Sequence, residues 1–350
     1  MDSIALIAPK GSGGVAYVIE RLWEGLRRER LLVSKIVVSG SPTLFHLKHL
    51  PHLQDYDTII IAGSIPPPSH LFIRNETKVA LFVHGFIYHE LGNAIAYGQF
   101  REKLGATYSL ILFEMARKAD RIDAYICHSV TACEANRVYN DFILLPQFVF
   151  PEEVQKRNDD NIQRGSNPQV VTYTSFANSP RLLKDETLLS LMRGVSKRLN
   201  RQITLVIVNP AEKGPKIEKR GNLIVYRLPF LPRDQFLRLI ASSDLYIERC
   251  IDEELRLGSI DAGIVGTPVA KLTHPLFVER QDYKDEVLWA ASPREFIDLV
   301  SEYMRDAEDK KPIFSRRFRE FLLNRRSWDK VKTQLIRLLH LSYNEASSNN

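Results

Sequence analysis

The chain of 350 residues is poor in cysteine, with three, Cys127, Cys133 and Cys250. No even disulfide framework and no metal-ligand spacing can be built from them. They read as buried apolar thiols, which suits a reducing, cytoplasmic compartment. Long hydrophobic runs are missing too. No segment approaches the ~20 apolar residues of a bilayer span, and the first apolar run stops at Pro9, short of a signal-peptide core. Neither sign of charge dominates: the net charge is +6 with 26% charged residues. With 44% hydrophobic residues, the composition excludes a disordered chain. There is no G-x-G-x-x-G turn and no acidic residue closing the second strand, which argues against a dinucleotide site. No zinc-finger or RNA-binding signature is present, so no nucleic acid partner is expected. His46, His49 and His52 have i, i+3 spacing, but they fall in a surface helix broken by Pro51 and make a poor metal site. Asp159 and Asp160 lie in a polar, turn-rich stretch and make a poor metal site.

What is present is alternation. IALIA (4–8), KIVVS (35–39), TIIIA (58–62), VALFV (79–83), AYICH (124–128) and FILLP (142–146) read as buried parallel strands. Helical patterns cover Gly14–Arg30, Asn93–Lys118 and Ser129–Tyr139. The stretch 151–168 is polar and rich in turn formers, and reads as a linker. A second series follows, with strands VVTYT (170–174), ITLVIV (203–208), NLIVYRL (222–228), DLYIE (244–248) and PVAKL (268–272). Helices are expected at Glu186–Leu199, Arg233–Ala241, Gly258–Val265, Pro293–Arg305, Ile313–Leu323 and Trp328–Tyr343. Length alone suggests two domains. The pattern predicts an α/β protein of two Rossmann-like, doubly wound lobes facing a central cleft, 1–150 and 169–327. A final helix at 328–345 is expected to rejoin the first lobe.

The positive charge is uneven. Residues 1–150 hold 15 Lys and Arg against 14 Asp and Glu, which leaves 33 against 28 for the rest. Between Ile313 and Arg337 there are eight basic and two acidic residues. A solvated helix face is one reading, and contact with anionic lipid headgroups is the other. In the last helix Trp328, Val331, Leu335, Leu338 and Leu339 form one apolar stripe. Lys330, Lys332 and Arg337 should lie off it, beside Arg325 and Arg326.

Two segments carry chemistry. GSGGV (11–15) follows the first strand and opens the first helix, where Gly13 and Gly14 let a ligand approach the backbone and a helix N-terminus favours anions. A plain tight turn is the alternative. The second is DLYIERCIDEELRLGSIDAGIVGTPVAK (244–271): Glu253, seven residues, Asp261-Ala262, then Gly266-Thr267-Pro268-Val269. One carboxylate stands in a loop just before the helix. The other lies about two turns on from it, in a helix whose N-terminal N–H groups are free and favour an anion.

This segment resembles the donor signature of glycosyltransferase family 4, which has the GT-B fold. The similarity runs over most of the chain, with Asp261 in place of the usual Glu and Ser179 in place of a usual Arg. It implies a transfer from a nucleotide-diphosphate sugar to a glycan, lipid-linked or protein acceptor, with retention and without metal or other cofactor. The implied catalytic residues are His84, at the end of the fourth strand, and Glu253. Donor contacts would come from Gly13, Gly14, Ser175, Arg181, Lys184, Glu253, Leu257, Gly258 and Asp261, with Lys184 neutralising the diphosphate. His89, Glu90, Tyr97 and Arg101 would face the acceptor. The expected place is the cytoplasm, or the periphery of the inner membrane face. A non-catalytic nucleotide-sugar-binding protein on the same fold is the alternative.

Overall fold

In the computed structural model, the residues described are 3–9, 14–38, 52–62, 76–83, 95–96, 100, 103–104, 107–108, 110–111, 114–115, 122–128, 133–134, 142–155, 167–174, 183–251, 255–278 and 282–337. The chain divides into two compact units, residues 1–146 with 331–350, and residues 147–330.

The first unit is built on a six-stranded sheet of order β2-β1-β3-β4-β5-β6, parallel throughout. Its strands are β1 (Ser3–Pro9), β2 (Leu32–Val38), β3 (Thr58–Ala62), β4 (Lys78–Val83), β5 (Ala124–Cys127) and β6 (Phe142–Leu144). Helix α1 (Gly14–Arg28) follows β1. All five residues of β3 are buried, as a strand covered on both faces must be. From 95 to 115 every described residue is helical, and Phe100, Leu104, Tyr108, Ile111 and Met115 are exposed.

One cysteine expectation is corrected. Cys127, at the end of β5, and Cys133, in the helical turn that follows, are paired as a disulfide with Cα atoms 5.9 Å apart. That separation is within the Cα range that a disulfide spans. Cys250 is a buried free thiol.

The second unit opens with a short helix, α2 (Pro151–Gln155), at the start of the polar stretch. Its seven-stranded sheet has the order β13-β12-β11-β7-β8-β10-β9. The strands are β7 (Gln169–Tyr173), β8 (Ile203–Val208), β9 (Lys216–Arg220), β10 (Leu223–Leu228), β11 (Leu245–Glu248), β12 (Val269–Leu272) and β13 (Leu288–Ala290). Only β9 is antiparallel, on β10. Successive strands run outward from β7 through β8 to β10, and then from β11 to β13 on the other side. The order therefore reverses between β7 and β11, the place where doubly wound sheets bind ligands.

Helices α3 (Asp185–Leu199), α4 (Arg233–Ala241), α5 (Leu257–Val265), α6 (Pro275–Val278), α7 (Pro293–Arg305) and α8 (Ala307–Arg325) complete the unit. α3 carries acids in its first turn and bases in its last, matching the helix dipole, and ends on Asn200 in the left-handed region at φ 51°. α8 starts earlier than expected and runs through Pro312. Buried Lys311 holds that turn by donating its amine to the carbonyls of Ser243 and Ala241. α5 ends on Gly266 at φ 76° and is buried continuously from Ser259 to Val265. A Cβ on Gly263 would lie 2.7 Å from Leu322 and 3.0 Å from Phe318 of α8, so a glycine is what lets these two helices meet.

Residues 328–337 are helical, with Trp328, Val331 and Leu335 buried. Lys330, Arg325 and Arg337 are exposed. Arg326 departs from expectation: it is buried and ion-paired with Asp282, and Lys332 binds Glu29 at 2.8 Å. Among the described residues, no helix is long and apolar enough to cross a membrane.

Candidate functional site

The carboxyl ends of β7 and β11, at the strand-order reversal, carry a concentration of polar groups in an otherwise apolar sheet. Side chains alternate along a strand, so Tyr246 and Glu248 face one way and Arg249, just beyond β11, the other. The first pair meets α5, and Arg249 meets the start of α3.

On the α5 side, Glu248 is buried. One oxygen accepts the Cys250 N–H at 2.9 Å and the other the Ser259 hydroxyl at 2.7 Å. Both oxygens of this buried side chain are thereby hydrogen-bonded, as a buried polar group requires. Tyr246 packs beneath Gly258, where an added Cβ would overlap its hydroxyl and lie 2.7 Å from Cζ. Burial pushes the Tyr246 phenol well above its ordinary range, and the negative charges of Glu248 and Asp261 push it further. Asp261, one turn along α5, is 6% exposed and accepts from Arg233 of α4 at 2.8 Å. Arg233 also lies 3.6 Å from Glu153 of α2.

On the α3 side, Lys184 precedes the helix in extended conformation, φ −63° and ψ 151°, and its side chain is exposed. The next residue, Asp185, is paired with Arg227 of β10 and lies 2.8 Å from Arg249. Burial raises the Asp185 pKa, but the Arg227 hydrogen bond and the charges of Arg249 and Arg227 outweigh it, leaving the carboxyl below its ordinary value. Arg227 reaches on to Glu218 of β9 at 2.8 Å. That hydrogen bond is the main reason Glu218 also sits low. A chain of alternating charges thus runs from the end of β11 to the middle of β9.

Of the residues expected from the sequence, Lys184, Leu257, Gly258 and Asp261 stand at this edge, on the first turns of α3 and α5. Gly14 begins α1 in the first unit. Gly13, His84, His89, Glu90, Tyr97, Arg101, Ser175, Arg181 and Glu253 lie outside the described residues. Four contributors were not anticipated: Arg233 on Asp261, Arg249 and Asp185 at the start of α3, and Tyr246 under Gly258. One signal was readable. Glu248-Arg249 puts two charges at the end of an apolar strand, and charges so placed need partners.

No family model matches the chain, and no curated protein matches it. Among solved structures, HepE of Anabaena, in a complex with UDP and glucose, is similar over 97% of this chain and 99% of its own, at 13% identity and a TM-score of 0.63. A trehalose-6-phosphate protein from E. coli, bound with UDP-2-fluoro glucose, matches over 97% and 99% at 10% identity and a TM-score of 0.65. WaaG, a glycosyltransferase involved in lipopolysaccharide biosynthesis, matches over 97% and 100% at 11% identity and a TM-score of 0.64. Two parallel α/β units in this order, together with these likenesses, give the chain the GT-B fold of glycosyltransferases.

Proposed function

We infer that the chain is a glycosyltransferase whose donor, a nucleoside-diphosphate sugar, binds to the second unit. The observation that carries this reading is the pairing of sites at one strand-order reversal. The Asp261 carboxylate stands one turn inside α5, and Lys184 stands at the start of α3. A ribose needs an acceptor for its hydroxyls and a diphosphate needs a cation with free N–H groups, and these two helix starts supply both. UDP in the HepE structures and a UDP-sugar in the E. coli structure support a donor of that class.

Glu253 is assigned to the sugar hydroxyls, Asp261 to the ribose and Lys184 to the leaving diphosphate. Gly13, Gly14, Ser175, Arg181, Leu257 and Gly258 supply further donor contacts. His84 acts at the reacting sugar, and His89, Glu90, Tyr97 and Arg101 face the acceptor, a glycan, lipid-linked or protein group. Transfer proceeds with retention and without a metal, because side-chain cations and helix N-termini neutralise the leaving group. A lipid-linked acceptor would be met at an anionic membrane surface, and that contact is supported by exposed Arg325, Lys330 and Arg337.

The deciding experiment titrates purified protein with UDP-, GDP- and ADP-sugars and follows donor hydrolysis. Binding with turnover, persisting in excess EDTA, is expected. Glu253→Gln should bind and turn over poorly, and Asp261→Ala should weaken binding by about 1–3 kcal/mol. Binding without turnover would point to a non-catalytic nucleotide-sugar protein, and loss on chelation with Mg²⁺ rescue would overturn the metal-free mechanism. Co-sedimentation with phosphatidylglycerol vesicles at low salt, lost at high salt, is the result expected of membrane contact. No sedimentation at low salt would remove it.

A further inference from the structure

Arg249 sits at the strand-order reversal, directly after β11, and is 3% exposed. Its guanidinium reaches three groups that are separated along the chain. It donates to the hydroxyl of Thr174, the residue after β7, and through Nε to the Leu183 carbonyl at 2.9 Å. It also forms an ion pair with the Asp185 carboxylate at 2.8 Å. The backbone adds a bond in the other direction, from the Leu183 N–H to the Arg249 carbonyl at 2.7 Å. Thr174 and Leu183 are the residues on either side of 175–182, and Lys184 stands between Leu183 and Asp185. One buried side chain therefore fixes both ends of the crossover from β7 to α3 and brackets the lysine at the end of it.

We propose that Arg249 is the positioning residue of the diphosphate-binding lysine, holding Thr174, Leu183 and, with them, Lys184 against the end of β11. This rests on the assignment of Lys184 to the diphosphate. Arg249 does not touch the ligand: its bonds are taken up by Thr174, Leu183 and Asp185, and the paired charges of Arg249 and Asp185 cancel. Its contribution is geometric. A planar guanidinium presents donors in several directions at fixed angles, so it can hold two chain segments and a carboxylate at once. Lysine, a single point of donation, cannot reproduce that set.

The test compares UDP with UMP, which lacks the β-phosphate, by calorimetric titration of the full chain. Wild type, Lys184→Met, Arg249→Lys, Arg249→Met and the Arg249→Met/Lys184→Met double variant are measured. Arg249→Met should weaken UDP by about tenfold or more, because a small displacement of a positioning group is felt strongly. UMP affinity should stay within about twofold of wild type, inside the usual non-additivity between distant sites. Lys184→Met should show the same selective loss, and the double variant should be no weaker for UDP than Lys184→Met alone. Arg249→Lys should fall between wild type and Arg249→Met, and it carries the test if the Met variant does not fold. Equal losses for UDP and UMP, or additive losses in the double variant, would show a merely structural arginine and overturn the proposal. If Lys184→Met leaves UDP affinity unchanged, the assignment of Lys184 itself fails instead.

Discussion

Strand β11 is flanked by two helices that bring candidate ligand groups to the same sheet edge, and they are held by different physics. The start of α3 is held by charge: Asp185 lies between Arg249 and Arg227, and Arg227 passes on to Glu218. The start of α5 is held by shape and by hydrogen bonds to one carboxylate. Tyr246 fills the space under Gly258, and Glu248 takes the Ser259 hydroxyl. A charged anchor allows an exposed lysine beside it to keep its solvation, while a packed anchor buries Asp261. The first should answer to pH, the second to volume.

The largest effect is expected on the charged side. Asp185→Asn leaves Arg249 buried without its countercharge, and should cost about 3 kcal/mol at neutral pH, less than for a fully buried pair because Asp185 is a third exposed. Because the folded-state pKa of Asp185 is lowered, its stabilisation is present above the unfolded value of about 3.9 and disappears as pH falls through the folded value. Thermal melts from pH 7 downward should therefore show wild type and variant converging in acid. Parallel curves would remove charge as the anchor of α3.

Gly258→Ala comes next. In an open helix this change would stabilise by about 1 kcal/mol. Here the new Cβ overlaps the Tyr246 hydroxyl, and overpacking of about 1–3 kcal/mol or more should win. Adding Tyr246→Phe should recover only part of the lost melting temperature, since Cζ remains 2.7 Å away. A stabilised Gly258→Ala protein would break the shape side of the comparison.

Ser259→Ala takes one partner from buried Glu248 and should cost about 1.5 kcal/mol, the low end for a bond to a charged group, as the Cys250 N–H keeps the other oxygen. The smallest change is expected from Arg233→Met. Its pair with Asp261 involves a guanidinium that is 37% exposed, which limits the loss to under about 1 kcal/mol in a denaturant melt. A loss of twice that would mean that α5 also rests on charge.

Legibility from sequence followed the same division. TIIIA and ITLVIV were readable residue for residue as β3 and β8, because an apolar β-branched run has few other places to go. KIEKR was not readable as β9, since a charged edge strand exists only through its pairing with β10. The local pattern starts a helix at Ile313, whereas α8 begins at Ala307 and runs through Pro312, with Lys311 bonded to the carbonyls of Ala241 and Ser243. Asp261 was a candidate from spacing within one short segment, and Lys184 from the family resemblance. Arg249 could not, because its role comes from Thr174, Leu183 and Asp185, all more than 60 residues away in sequence. Spacing records what a helix or turn brings together, and it is silent on what a sheet brings together.

The meeting of α5 with α8 at Gly263 has a consequence for the entropy of binding. A helix with Tyr246 against one end and Leu322 and Phe318 pressed to its backbone has no free volume in which to slide or turn. The ordering of Asp261 is therefore completed when the second unit folds. A ligand that meets α5 finds its carboxylate already in place, so α5 itself loses no freedom on association, which favours tighter binding for the same contacts.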